Sequence, residues 1–120
     1  MPWSVNQLAI EAGWYIFNHR QQFTVPVRPL LAATSLWQEQ LKIATGWTFF
    51  ETDTHYFMIE TPEDFSAAEL KQHLVSRYGL LIRDAENFGF SRRYFRVACQ
   101  SPEHNQFLTE ALSECARTGL

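Results

Sequence analysis

The chain has few of the residues on which most phosphate-binding, metal-binding and covalent sites depend. Among its 120 residues there are two lysines, two cysteines and five glycines, and charged side chains make up 19%. It has no P-loop, no dinucleotide-binding glycine fingerprint and no Gly-x-Ser-x-Gly element, so nucleotide binding and serine-nucleophile catalysis lack a motif. The four histidines show no metal-ligand spacing, and no metal site is predicted.

A surplus of positive charge is also missing, because the formal net charge is −3. This balance argues against nucleic acid or an anionic membrane as a partner. The run Phe88-Gly89-Phe90 is similar to part of an RNA-recognition signature but lacks its leading basic-Gly pair. No apolar run approaches twenty residues and no signal-peptide pattern is present, so we expect a cytoplasmic protein whose Cys99 and Cys115 are buried free thiols.

Apolar periodicity and capping signals predict the element order ααββαββα. Four helices are expected: one over about 5–19, one from near Pro29 to Gly46, one from Ser66 to Gly79, and one after the Ser101-Pro102 cap. The expected strands are 47–52, 55–60, 80–83 and 94–99. This order predicts one domain over 1–120 of the α+β class. It would be a two-layer sandwich in which helices cover one face of a small, mainly antiparallel four-stranded sheet.

The first helix is unusually aromatic for a small domain. Ser4 and Gln7 form a predicted capping box, and Trp3 with Leu8 a hydrophobic staple. Aromatic residues lie on more than one side of the helix: Trp3, Trp14, Tyr15 and Phe17. Large exposed apolar surfaces are typical of an interface rather than of an isolated domain.

Two arginines near the end of the sheet are the candidate binding residues. Alternation along 94–99 places Arg96 on the face opposite Phe95, and Arg83 ends the preceding strand. If those strands are adjacent, two guanidiniums converge, and guanidinium is suited to carboxylate or phosphate. The alternative is that Arg96 pairs with an internal acid such as Asp84 or Glu86. Arg92 and Arg93 are predicted to form a solvated turn.

Several stretches resemble the C-terminal region of fold-type I, pyridoxal-phosphate-dependent aminotransferases. They are LIRD at 81–84, Phe88-Gly89, YFRVA at 94–98 and SPEHN at 101–105. The opening PWSVNQLA also resembles a segment of the branch that holds histidinol-phosphate aminotransferase and threonine-phosphate decarboxylase, and the PWSVN opening favours the decarboxylase. The similarity covers essentially the whole chain in the right order.

The resemblance implies a small domain that closes over pyridoxal 5′-phosphate (PLP) held by a large domain of the same enzyme. It implies that Arg96 binds the substrate's carboxylate or phosphate and that Arg83 assists. The implied reaction is decarboxylation of the phosphorylated amino acid L-threonine O-3-phosphate, which supplies cobalamin biosynthesis. The complete enzyme is expected to be a homodimer.

The sequence also departs from the family. Neither Lys42 nor Lys71 stands in the context of the Schiff-base lysine, and the large cofactor domain is expected to be absent from the chain. We therefore expect no bound PLP and no catalysis from this chain alone. DTHYF at 53–57 replaces the family's Ser-x-x-Asn before Phe. Two alternatives stay open: the same domain of a histidinol-phosphate-type aminotransferase, or a stand-alone non-catalytic binding module.

Overall fold

The computed structural model describes residues 5–119 as four α-helices and one four-stranded sheet, in the predicted order. The elements are α1 (Gln7–Asn18), α2 (Val27–Thr45), β1 (Thr48–Phe49), β2 (Tyr56–Glu60), α3 (Ala67–Tyr78), β3 (Arg83–Asp84), β4 (Tyr94–Ala98) and α4 (Pro102–Thr118). Two short 3-10 helices, Arg20–Gln22 and Glu86–Phe88, lie in the connections.

The sheet has the strand order β1-β2-β4-β3, and every neighbouring pair is antiparallel. On its inner face the alternating residues of β2 and β4 are buried against helices α2, α3 and α4. The buried apolar residues contributed by these elements are Trp37, Leu41, Phe57, Ile59, Leu70, Leu74, Phe95, Val97, Ala111, Leu112 and Cys115. The predicted α+β sandwich with helices on one face is confirmed.

The helix ends follow local backbone chemistry. Gly46 (φ 69°) and Gly79 (φ 67°) end α2 and α3 in the left-handed conformation, as predicted. Ser101 caps α4, and its hydroxyl accepts a hydrogen bond from the amide of His104. Ser66 is the N-cap of α3 but makes no side-chain capping hydrogen bond.

The strand before Arg83 is shorter than predicted. We expected 80–83, whereas β3 begins at Arg83. The amide of Leu80 donates to the carbonyl of Leu74, 3.1 Å away, and so completes the C-terminal cap of α3. Because the cap uses this amide, the residues around Leu80 follow the helix end rather than the sheet.

Helix α1 stands apart from the core and has no buried residue. Its side chains Leu8, Trp14 and Phe17 are 81%, 61% and 66% exposed. The radius of gyration is 17.5 Å, against about 14 Å for a compact domain of this length. The predicted apolar surface of this helix is therefore confirmed for the residues that the structure describes.

The start of α1 differs from the prediction. The helix begins at Gln7, and Asn6 is its N-cap, accepting a hydrogen bond from the amide of Ala9. The predicted staple and cap residues Trp3 and Ser4 lie outside the described residues.

The two cysteines, Cys99 and Cys115, are free and buried, as predicted. Burial raises the pKa of the Cys115 thiol, which disfavours its reactive thiolate. None of the helices within residues 5–119 combines the length and the hydrophobicity needed to cross a membrane.

Candidate functional site

Arg83 and Arg96 lie directly opposite each other in the sheet. The register of β3 against β4 pairs Arg83 with Arg96, and the register of β2 against β4 pairs Met58 with the same Arg96. Opposed residues of an antiparallel pair project from the same face, with Cβ atoms about 4.5–5.5 Å apart. The two arginines therefore share the face that the helices do not cover, which we call the outer face.

No carboxylate neutralises either arginine within residues 5–119. The ion pairs there join Lys71 to Asp84, Arg77 to Glu114, and Arg93 to Glu60 and Glu63. Asp84 is opposite Phe95 on the inner face, and its carboxylate lies 2.8 Å from the Lys71 amine. The alternative that Arg96 pairs with Asp84 or Glu86 is therefore wrong.

Aromatic rings take the place of acids beside both guanidiniums. The Arg96 Cζ lies 4.7 Å from the centroid of the Tyr56 ring, and the Arg83 Cζ lies 5.2 Å from that of Phe88. Tyr56 belongs to β2 and Phe88 to the 3-10 helix after β3, so the rings flank the arginine pair. A ring face attracts a cation without neutralising it.

Both arginines also line one open cleft, which we call the edge cleft, with a volume of about 470 Å³. It lies where the chain before β3 separates from β4 and meets the start of α4. Its polar lining residues are Lys71, Arg83, Arg96, Gln100, His104 and Asn105. The other lining residues are apolar, and among the described residues that form its walls there is no carboxylate.

Asn105 fixes the floor of the edge cleft. It is buried, its side-chain oxygen accepts a hydrogen bond from the Gln100 amide at 2.8 Å, and its side-chain nitrogen lies 3.2 Å from the Cys99 sulfur. The Trp37 indole donates to the Asn105 carbonyl at 3.2 Å. These contacts join the end of β4, the start of α4 and helix α2 into one support for the arginine row.

Arg92 and Arg93 form the predicted turn before β4, but only Arg92 is solvated, because Arg93 is half-buried. Arg93 has a structural role: its Nε donates to the Thr61 carbonyl at 2.8 Å, and its guanidinium lies 2.7 Å from the Glu60 carboxylate. The turn thereby closes the end of the β2–β4 ladder. Proximity in sequence to Arg96 does not bring Arg93 into the edge cleft.

Two residues of the site were not found from the sequence. Lys71 belongs to no binding motif of the sequence, yet it lines the edge cleft. Tyr56 stands in the segment that departs from the family pattern. Alternation along β2 places it on the outer face, opposite the buried Phe57. The β2–β4 register brings Tyr56 near Arg96, whereas the packing of α3 on the sheet brings Lys71 to the cleft, and no local sequence signal carries either piece of information.

The lysines of the chain do not fit a PLP aldimine. Lys71 is held in an ion pair with Asp84, and Lys42 lies on the exposed surface at the end of α2. An aldimine requires a free, activated amine at the cofactor. Within the described residues there is also no cluster of three His, Cys, Asp or Glu side chains that could hold a metal ion.

The Lys71–Asp84 pair makes stability pH-dependent. The hydrogen bond from Lys71 holds the pKa of Asp84 below its ordinary value. A depressed carboxylate pKa stabilises the fold above the unfolded pKa of about 3.9, and this contribution is lost as the pH falls through the folded pKa. We expect Lys71→Met to lower the free energy of unfolding by less than about 1 kcal/mol at pH 7, since both groups are partly exposed.

Urea unfolding at pH 7 and near pH 2 measures this difference, with Lys42→Met as the matched control on an exposed helix position. We expect the gap between the wild type and Lys71→Met to close at the lower pH. A gap of the same size at both values would contradict the assignment.

Comparison with curated proteins identifies relatives that are longer than this chain. A putative threonine-phosphate decarboxylase of Caldanaerobacter subterraneus is 30% identical over 112 residues, which cover 92% of this chain and 30% of that protein. A bifunctional adenosylcobalamin biosynthesis protein of Leptospira interrogans is 26% identical over 115 residues, 92% of this chain and 12% of that protein. The chain thus spans less than a third of the curated relatives it matches.

A solved structure extends the likeness to the fold. The crystal structure of L-threonine-O-3-phosphate decarboxylase from Porphyromonas gingivalis superposes with a TM-score of 0.86 and 36% identity, over 98% of this chain and 36% of that one. No family model matches the chain.

Proposed function

Since this chain belongs to the class I/II aminotransferase superfamily of fold-type I enzymes, and matches threonine-phosphate decarboxylases over about a third of their length, we propose that it is their substrate-closing domain. In a complete PLP-dependent enzyme it would bind the carboxylate or phosphate of L-threonine O-3-phosphate in the edge cleft. The product would serve cobalamin biosynthesis. The cofactor would supply the electron sink for decarboxylation, and the large domain would hold it.

One observation carries this proposal: a row of uncompensated arginines on an acidic chain. Like charges directly opposite each other in a sheet are unfavourable, so Arg83 facing Arg96 weakens the pairing of β3 with β4. A bound anion removes that repulsion. Charge-assisted hydrogen bonds from two guanidiniums suit a phosphate or carboxylate, and the absence of an acid from the described walls leaves their charge available.

Binding at this site would orient the substrate rather than break a bond. The two guanidiniums would hold an anionic group remote from the reacting carbon, and such binding energy fixes the reacting bond relative to the cofactor. Closure of the large domain over the outer face would exclude water from the ion pairs and so strengthen them.

Helix α1 provides the surface for the partner domain. The superposition on the P. gingivalis enzyme spans 98% of this chain, which supports the same placement of α1 in a protein nearly three times as long. The additional two thirds of such a protein would cover the exposed apolar side chains of α1, which include Leu8 on one side of the helix and Trp14 and Phe17 on the other. We propose a large PLP domain as that cover and a homodimer as the complete assembly.

The uncovered helix leads to a prediction for the isolated chain. We expect it to self-associate as its concentration rises, because Leu8 and Trp14 expose large apolar surface. The double variant Leu8→Glu, Trp14→Glu should shift gel-filtration elution towards the monomer. Ile43→Glu is the control, since Ile43 is 84% exposed but lies on α2. A wild-type chain that stays monomeric at all concentrations would favour a stand-alone module instead.

Domain grafting tests the proposed reaction. This chain would replace the matching third of the P. gingivalis decarboxylase, and release of carbon dioxide from L-threonine O-3-phosphate would be followed. We expect decarboxylation with that substrate. Transamination of histidinol phosphate by the same graft, with no carbon dioxide released, would support the aminotransferase alternative.

A further inference from the structure

We infer that Tyr56 is a positioning residue for Arg96, whose guanidinium it holds by its ring face in an orientation that leaves the charge open to an anion. The inference rests on the proposed anion-binding function of the arginine pair. It assigns a role to the DTHYF segment, the part of the sequence that departs from the family pattern.

Strand register explains why the contact forms. Tyr56 pairs with Ala98, and Arg96 is two residues before Ala98 on the same face of β4. Diagonal neighbours of this kind lie within reach of aromatic and long side chains. Because Ala98 is small, the tyrosine ring can lie across it towards Arg96, and the guanidinium carbon is 4.7 Å from the ring centroid.

The backbone of Tyr56 is held on both sides. Its carbonyl accepts hydrogen bonds of 2.8 Å from the hydroxyls of Thr52 and Thr54, and its amide lies 3.3 Å from the Thr54 hydroxyl. The preceding carbonyl, of His55, accepts a hydrogen bond of 2.7 Å from the Cys99 amide. The ring therefore projects from a fixed point rather than from a flexible loop.

An aromatic partner differs from an acidic one because it leaves the positive charge and the N–H donors of the guanidinium available. A carboxylate would neutralise Arg96 and occupy the donors on one edge of the guanidinium. A ring attracts the cation through its π face but offers none of the strong acceptor oxygens of a carboxylate, so the N–H groups remain available to an anion. Arg83 has the corresponding contact with Phe88 at 5.2 Å, so each guanidinium is attracted towards its own ring.

The test uses the 120-residue chain and two NMR measurements. The first follows the Arg96 Nε–H resonance without ligand, because a ring stacked on the guanidinium displaces that proton signal. We expect the displacement in the wild type and in Tyr56→Phe, and its loss in Tyr56→Leu. The second is a titration with O-phospho-L-threonine and, separately, with inorganic phosphate, with Arg96→Ala as the reference for lost binding.

We expect Tyr56→Leu to bind the phosphorylated amino acid about two- to fivefold more weakly than the wild type, the range for an exposed cation–π contact. Tyr56→Phe should bind like the wild type, since the ring face and not the hydroxyl makes the contact. The salt dependence should be the same for all three proteins, because their charges are the same. A general loss of structure in Tyr56→Leu would instead displace amide signals throughout the core.

Two outcomes would overturn the inference, and they are distinguishable. If Tyr56→Leu binds as tightly as the wild type, or keeps the Arg96 signal where it was, Tyr56 does not position the arginine while the anion site stands. If the wild type binds neither probe more tightly than Arg96→Ala does, the proposed anion-binding function fails, and the role of Tyr56 fails with it.

Discussion

Replacing Phe95 with alanine is expected to lower the free energy of unfolding by about 3–5 kcal/mol, the usual cost of removing a buried aromatic ring from a core. Phe95 is fully buried at the centre of β4, between β2 and β3. Its ring meets the Trp47 indole edge-on, with centroids 6.0 Å apart. Because β4 is paired on both sides, its backbone can move little to close the cavity, so we expect the loss to lie near the upper end of that range.

Equilibrium unfolding in urea, followed by far-ultraviolet circular dichroism, measures the effect. Phe90→Ala is the matched control, because Phe90 precedes the same strand but is 49% exposed. We expect the control to lose less than about 1 kcal/mol. Since domains of this size have total stabilities of about 5–15 kcal/mol, Phe95→Ala should remove a substantial part of the free energy of unfolding. Equal losses in the two variants would contradict the burial assigned to Phe95.

The fold was predictable where local chemistry decides the structure. Gly46 and Gly79 adopt left-handed backbone at helix ends, and alternation along Tyr94–Ala98 divides the strand into one buried and one open face. The prediction failed at Leu80, where two uses of the same amide compete. The helix cap involves residues six apart and forms locally, whereas pairing with β4 requires closing a longer loop.

The site was predictable only in part, because its geometry depends on strand register. The sequence indicated that Arg83 and Arg96 would converge if their strands were adjacent, and the register places them opposite each other. The sequence could not show that Asp84 projects to the inner face and pairs with Lys71. It also could not place Tyr56 beside Arg96, because the two residues are forty positions apart and meet only through the β2–β4 register.

Arg96→Ala is expected to reduce kcat/KM for L-threonine O-3-phosphate about 30- to 900-fold in the grafted decarboxylase. This range corresponds to about 2–4 kcal/mol for a desolvated charge-assisted hydrogen-bond pair. In the free chain Arg96 is half-buried and has no acid partner among the described residues, so a bound anion would be its first counter-charge. Closure of the two domains would then remove water from the pair and strengthen it.

Arg92→Ala is the matched control, because it removes the same charge from the chain as Arg96→Ala does. Arg92 lies four positions earlier, in an exposed turn. We expect the control to keep at least half of the wild-type kcat/KM. Arg83→Ala should fall between the two, since Arg83 is more exposed than Arg96 and only assists in binding. If Arg96→Ala and Arg92→Ala lost activity equally, the arginine row would act through net charge alone, and the edge cleft would not be the substrate's anion site.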